Sequence, residues 1–322
     1  MKKNKLFIGA LALLMAFTTA CSSKTENTTT TSQDKDTFTY AINSDPSSTN
    51  PINVSDRWGL TMTNMIYSPL IRVEGDGSLV NELAESTELA KDGLSLTVNL
   101  KKGIKWSDGQ DFTADDVVFT YETKAKKENG NFKSLWINDK PITVEKKDDH
   151  TVVFKFPEPS AAAANNIATE TYIIPKHIYG KVSDFSVKDL QEKPIGTGPY
   201  KLVENKRGEY IKFEANENYY KGKPKVKNVV LRVIQSADTT KVALQKGEID
   251  ASYVLPTDIK DLDTNKLDVY SYSENRIGYL GLNTKTNELK DVKVRQAILY
   301  ALNKGDMNKA AYLDEKYYQN PY

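Results

Sequence analysis

The chain has 322 residues, 39% hydrophobic and 27% charged, the balance of a soluble globular protein. Its 44 Lys and Arg stand against 43 Asp and Glu, a formal charge of +1 with the signs interspersed, so it carries no basic footprint for nucleic acid. A lone cysteine, Cys21, excludes an internal disulfide, and two histidines, His150 and His177, give no zinc-ligand spacing.

In chain order, Lys2, Lys3 and Lys5 precede an apolar run, Leu6 to Phe17, and then Thr18-Thr19-Ala20-Cys21. A positive start, a short apolar core and small residues before a cut make a secretory signal over 1–20. The run is shorter than the roughly 20 residues a membrane-spanning helix needs. Cleavage would put Cys21 first and, with the three signal lysines gone, take the formal charge from +1 to −2. The segment resembles the lipobox of bacterial lipoproteins, although Thr18 stands where a Leu is usual. That resemblance implies a diacylglycerol anchor on Cys21 and a place on the extracytoplasmic face of the cell membrane. The alternative is an ordinary signal with an incidental cysteine. Residues 22–36 are polar throughout and predict a flexible leash, so 21–36 is a lipidated cysteine and linker.

The folded part follows. Thr37 to Ile42 alternates like a half-buried strand and runs into a loop of turn formers, Asn43 to Pro51. Leu60 to Tyr67 predicts a short helix stopped by Pro69. Leu94 to Leu100 alternates cleanly, Lys101-Lys102-Gly103 makes a turn, and Ile104 to Trp106 predicts a short strand before the turn Ser107 to Gln110. Thr113 is placed to cap the N–H of Asp116 and open a helix buried through Val117, Val118 and Tyr121. Residues 142–145 and 151–156 predict a hairpin, 161–169 a helix, and 172–180 a proline-broken apolar segment. Tyr200 to Val203 and Tyr210 to Phe213 predict paired strands. The order strand 229–234, helix 237–245, strand 249–254 predicts a parallel pair joined by a crossover. Near the end, 277–283 predicts a strand and Val292 to Leu302 a helix capped by Asp291, with Val294, Ile298, Ala301 and Leu302 as its core face.

Taken together, these residues resemble the family 5 extracellular solute-binding proteins, the binding lipoproteins of oligopeptide, dipeptide and nickel ABC importers. The most specific block is Leu94 to Glu122, LSLTVNLKKGIKWSDGQDFTADDVVFTYE. Asn64 to Leu70, Ile174 to His177, Gly196 to Tyr200, Asn216 to Lys223, Lys246 to Asp250 and Asp291 to Ala297 support it in order and spacing. Within these blocks Trp106 and Asp108 are expected to shape a turn, and Gly196 and Gly198 to mark a return of the backbone between domains. The resemblance implies an α/β, periplasmic-binding-protein-like fold of the type II, three-lobe peptide-binding kind. It divides the sequence into a first lobe, 37–68 and 186–270, an inserted lobe, 69–185, and the start of a third, 271–322. Family members continue well beyond this length, so the third lobe is expected to be largely missing, through truncation at the C-terminal end.

The resemblance further implies a monomer that traps a peptide between lobes and hands it to ABC permease subunits, with no cofactor and no catalysis. The sequence has no Gly-x-Ser-x-Gly elbow and no dinucleotide fingerprint. Candidate ligand contacts lie on loops at strand ends: Asn43, Asn53, Ser55 and Trp58, then Tyr253, Leu255 and Pro256, then Asn275, Arg276 and Tyr279. Each also reads as a loop residue that touches no ligand. Competing functions are a non-transporting surface lipoprotein or remnant, and a binder of nickel chelate, haem or oligosaccharide. A half-cleft does not exclude water, so this protein alone is expected to bind peptide more weakly than micromolar.

Overall fold

The computed structural model describes residues 36–129, 131–160, 167, 171–182, 190, 192–272 and 279–312. The signal, Cys21, the leash, most of the 161–169 helix, and Asn275 and Arg276 lie outside these residues. In sequence order run β1 (Thr37–Ile42), α1 (Arg57–Ile66), β2 (Ile71–Val73), β3 (Leu79–Asn81), β4 (Ala84–Leu89), β5 (Ser95–Leu100) and α2 (Ala114–Lys124). Next come β6 (Trp136–Ile137), β7 (Lys140–Pro141), β8 (Thr143–Asp148), β9 (Thr151–Lys155), α3 (Lys176–Tyr179), β10 (Tyr200–Lys206), β11 (Tyr210–Ala215) and β12 (Asn228–Val233). The last are α4 (Ala237–Gln245), β13 (Ala251–Ser252), α5 (Val292–Ala301) and α6 (Lys304–Tyr312).

Two sheets organise these elements. The five-stranded sheet has the order β10-β11-β12-β1-β13. Its first three strands are antiparallel neighbours, whereas β1 runs parallel to β12 on one side and β13 on the other. The crossover from β12 through α4 to β13 therefore passes over β1, and the two strands expected to pair directly do not touch. Alternation along β1 sends neighbouring side chains to opposite faces. Ile42 joins Met62, Ile66, Ile211, Phe213 and Leu231 under α1, while Ala41 joins Ala243, Leu244 and Ile249 under α4.

The second sheet, β4-β5-β9-β8, is wholly antiparallel. Its buried face, Leu96, Val98, Leu100, Val144, Val152 and Phe154, packs with Val117 and Tyr121 of α2. The hairpin β8–β9 turns at Asp149 and His150, a shorter loop than expected because β8 runs on to Asp148 across an irregular register. Strands β2, β3 and β4 had no counterpart in the sequence reading.

The block from Ile104 to Asp116 holds the expected turn, with Gly109 at φ +89° and its N–H donating to the Trp106 carbonyl at 2.9 Å, but not the expected short strand before it. Only a single bridge, Lys105 to Asp111, stands where the short strand was expected. Trp106 is 0% exposed and stacks edge-on with Phe112 at 6.0 Å. Thr113 caps α2 as expected, its side chain accepting from the Asp116 N–H and also from the Asp115 N–H at 3.3 Å. Asp116 then completes a capping box, its Oδ2 accepting from the Thr113 N–H at 3.0 Å. The same oxygen accepts from Trp106 Nε1 at 3.3 Å, and Oδ1 accepts from the Lys176 N–H at 2.8 Å. One buried carboxylate thus ties this block, α2 and α3 together. Burial raises its pKa above the usual aspartate value, although these three donors and His177 all work to lower it.

The sheets meet where Gly196 and Gly198 press on the end of α1. Gly198 donates its N–H to the Ile66 carbonyl at 2.8 Å, and Ser107 donates to the Gly196 carbonyl at 2.9 Å. Helix α1 itself begins three residues before the expected start, because Asp56 caps it by accepting from the Gly59 N–H at 2.9 Å.

Two expectations near the end do not hold. The described part of 277–283, residues 279–283, forms no strand. Among the described residues no strand lies beside it, and a lone strand leaves its N–H and C=O groups unpaired. Helix α5 forms, with Asp291 accepting from the Lys293 N–H at 2.8 Å, but none of its residues is buried. The face of Val294, Ile298, Ala301 and Leu302 has no core to join among the described residues.

Candidate functional site

Parallel strands direct their carboxyl ends, and the loops that follow them, to one edge of a sheet. Ligands of open α/β sheets bind outside those ends. Here the strands in question are β1 and β13, leading to Asn43 and Tyr253, and α1 starts beside them with Arg57 and Trp58.

These residues form one polar and aromatic cluster. Asn43 is exposed and its Oδ1 accepts from Trp58 Nε1 at 2.6 Å. Trp58 is only 9% exposed, and its ring lies 6.2 Å from that of Tyr40. The Arg57 guanidinium lies over the Trp58 ring at 5.5 Å and over the Tyr253 ring at 4.9 Å. Arg57 also donates to the Tyr272 hydroxyl at 3.4 Å. Burial raises the Tyr40 hydroxyl pKa, while the Arg57 charge and the Tyr253 N–H pull it back. Tyr40 therefore keeps its proton at neutral pH. The cluster offers flat aromatic surface, hydroxyls and one planar cation.

Of the residues named from sequence, Asn43, Trp58 and Tyr253 come together here. Leu255 is half exposed two residues beyond Tyr253, and Pro256 opens a short 3-10 turn after it. Asn53 and Ser55 are exposed on the β1–α1 loop, and no hydrogen bond among the described residues ties either to the cluster. Tyr279 is 89% exposed. Arg57, Tyr40 and Tyr272 were missed. Arg57 had a usable signal, since an arginine directly after a capping Asp and before Trp58 marks the exposed first turn of a helix.

Among the described residues no group of His, Cys, Asp or Glu side chains is placed to hold a metal ion. Nor is any helix long and apolar enough to cross a membrane. Outside the cluster the two histidines have local roles: His177 Nε2 meets Asp108 Oδ2 at 2.8 Å, and the His150 N–H donates to Asp148 at 2.8 Å.

A mixed sheet with a parallel centre, and a cluster at the ends of its parallel strands, is the arrangement of type II periplasmic peptide-binding proteins. Solved structures agree. An ABC transporter substrate-binding protein, CtaP, from Listeria monocytogenes superposes with a TM-score of 0.78 at 37% identity, over 87% of this chain and 57% of that one. The oligopeptide-binding protein AppA of Bacillus subtilis, solved with a nonapeptide, gives 0.74 at 34% identity, over 85% and 55%. NikZ of Campylobacter jejuni, solved with Ni(L-His), gives 0.71 at 29% identity, over 85% and 55%. In sequence AppA is 36% identical over 94% of this chain and 58% of its own length. Residues 78–322 match the model of the bacterial extracellular solute-binding proteins, family 5. The chain belongs to that family, whose members are transport binding proteins and not enzymes. It spans somewhat more than half the length of the relatives it matches.

Proposed function

We propose that this protein is the substrate-binding lipoprotein of an ABC importer. In this reading it captures oligopeptides outside the cytoplasmic membrane and delivers them to the permease subunits. The observation that carries the peptide reading is its 36% identity, over 94% of its length, to an oligopeptide-binding protein. The strand-end cluster supports it, because aromatic faces and hydroxyls suit a peptide of varied side chains. The protein acts as a monomer, held by acyl groups on Cys21. Two or three acyl groups on one cysteine anchor firmly, since each buried methylene adds about 0.8 kcal/mol. Residues 37–68 with 186–270 form the first lobe, 69–185 the inserted lobe, and 271–322 open a third. The strands of the two sheets, drawn from 37–42 with 200–252 and from 84–155, support that division.

Ligand-observed NMR on the processed protein, 21–322, with a mixed pool of tri- to nonapeptides at millimolar concentration tests the cargo. Binding is expected, weaker than micromolar; no response at 5–10 mM (roughly the floor of a −3 kcal/mol interaction) would sink the peptide reading. A nickel–histidine chelate in the same assay tests the second cargo, favoured by the likeness to NikZ. Mass spectrometry of the N-terminal peptide from membranes tests the anchor: an acylated Cys21 is expected, and an unmodified one refutes it.

A further inference from the structure

We propose that Asn43 is the hydrogen-bond donor of this site that takes a main-chain carbonyl of the bound peptide, and that Trp58 is the positioning residue that sets it. The inference deepens the peptide reading and rests on it.

A side-chain amide has two branches of opposite character, a carbonyl that accepts and an NH2 that donates. An indole N–H only donates. Trp58 Nε1 lies 2.6 Å from the Asn43 amide, so the atom it faces is Oδ1 and the NH2 is left on the other branch. Trp58 is in no position to turn away. It is 9% exposed, it belongs to the core of Ile42, Met62 and Ile66 under α1, and its ring lies 6.2 Å from that of Tyr40. An unrestrained asparagine would present either branch to a ligand by a half-turn of its amide. Here that half-turn would set NH2 against N–H and lose the bond, so the site offers a donor and not an acceptor.

The backbone below the amide is equally firm. Asn43 directly follows β1, which lies between its parallel neighbours β12 and β13. On one side the Ile42 carbonyl accepts from the Ile234 N–H at 2.8 Å, and on the other the Ala41 carbonyl accepts from the Ser252 hydroxyl at 3.3 Å. Asn43 itself is exposed, and its NH2 has no hydrogen-bond partner among the described residues. It is a preset donor at the carboxyl edge of the parallel strands, where ligands of such sheets bind. A main-chain carbonyl is the matching group that every peptide carries whatever its side chains, and main-chain hydrogen bonds supply affinity without sequence preference.

Nitrogen–proton correlation NMR on the processed protein, 21–322, tests this with the mixed pool of tri- to nonapeptides. Peptide should move the Asn43 NH2 signals downfield and leave the Trp58 indole signal near its place. Affinities from the same titrations separate the roles. Asn43→Ala should weaken binding about five- to tenfold, the effect of one hydrogen bond partly open to water. Asn43→Asp keeps an acceptor for the indole but has no donor, and should weaken binding at least as much. Trp58→Phe frees the amide: it should weaken binding about two- to threefold, and Asn43→Ala added to it should cost less than it does alone. Peptide that shifts other signals but not the Asn43 NH2 overturns the proposal. So does an Asn43→Asp protein that binds like the parent, since an acceptor would then serve. An equal cost of Asn43→Ala with and without Trp58→Phe refutes the positioning role. Each of these results leaves the peptide reading standing, whereas a pool that moves no signal brings down that reading and this inference with it.

Discussion

Gly196 has no room for a side chain. A Cβ built there lies 1.9 Å from the Ile66 carbonyl oxygen, and the backbones of Gly196 and Ile66 are both hydrogen-bonded in place. Gly196→Ala should lower stability by about 2–3 kcal/mol or more, because neither backbone can retreat cheaply. A urea melt within 0.5 kcal/mol of the parent (roughly the additive noise of such comparisons) would refute this. Two acids nearby respond to pH in opposite directions. Burial pushes the Glu82 carboxyl up, but hydrogen bonds from Lys221, Tyr220 and Arg72 outweigh it and hold the pKa below the usual value. The stability Glu82 contributes is therefore present above its unfolded pKa and lost as pH falls through the folded one. Asp116, raised in the fold, is penalised while ionised and relieved as pH falls through its folded value. Glu82→Gln should cost about 1–3 kcal/mol at pH 7, with the deficit shrinking below pH 4. For Asp116→Asn the deficit should instead grow as pH falls through the raised folded value and level off below about pH 4, the ordinary aspartate range. Denaturation midpoints taken from pH 7 to 3 read both slopes, and parallel curves would contradict the assignment. Glycines at 196 and 198 could be singled out from sequence as places where the backbone returns. What they touch could not, since Ile66 lies 130 residues away.

At the scale of elements, α1 and α3 are joined by a buried pair of hydroxyls, Tyr67 to Tyr179 at 2.9 Å. Tyr67 is 1% exposed and Tyr179 2%, and neither has water to fall back on. Burial pushes the Tyr179 hydroxyl up to about 12, so both stay protonated and one donates to the other. Removing either hydroxyl breaks the bond between them, whereas removing both leaves two phenyl edges in contact. Tyr67→Phe and Tyr179→Phe should each cost about 1–2 kcal/mol, and the double variant less than their sum. Strict additivity in thermal melts would mean that the hydroxyls do not interact. Elements with a strong local signal were legible from sequence: β5 by its alternation and α2 by its cap; α4 was also found over 237–245, and its cap, Ser236 accepting from the Thr239 N–H at 3.3 Å, is seen in the structure. Strands β2 and β3 were not, being three residues each with little alternation to detect. The neighbour of β12 was not legible either, because β1 comes from the far end of the sequence and no local pattern announces it. The same holds for the site. Asn43 and Tyr253 were found as loop residues at strand ends, but the stacking that selects Arg57 is a contact across 196 residues of sequence.

Over the whole molecule, apolar surface is unevenly distributed. The two sheets bury most of their hydrophobic residues, with Phe38, Leu89 and Val203 as exposed exceptions, whereas α5 and α6 bury none and expose Val292, Leu299, Tyr300 and Met307, the tyrosine at 87%. Contiguous exposed apolar area beyond a few hundred Å² is rare on soluble monomers (typical limits are approximate). The processed protein should bind a hydrophobic dye under native conditions, and Leu299→Lys with Tyr300→Lys should reduce the fluorescence at least about twofold, in line with the loss of the patch. A dye signal absent from the parent, or unchanged in the double variant, would show that this face is covered.

The central position of β1 has a consequence for how such a molecule is made. Phe38 is aligned with Val229, so the strand that leads the folded body out of any ribosome or export pore has no neighbour until more than half of the polypeptide has followed it. The antiparallel sheet of 84–155 closes on itself much earlier and needs nothing from either end. Vectorial emergence therefore favours assembly from the middle outward, with an apolar leading strand left waiting and open to chaperones or proteases in the interval.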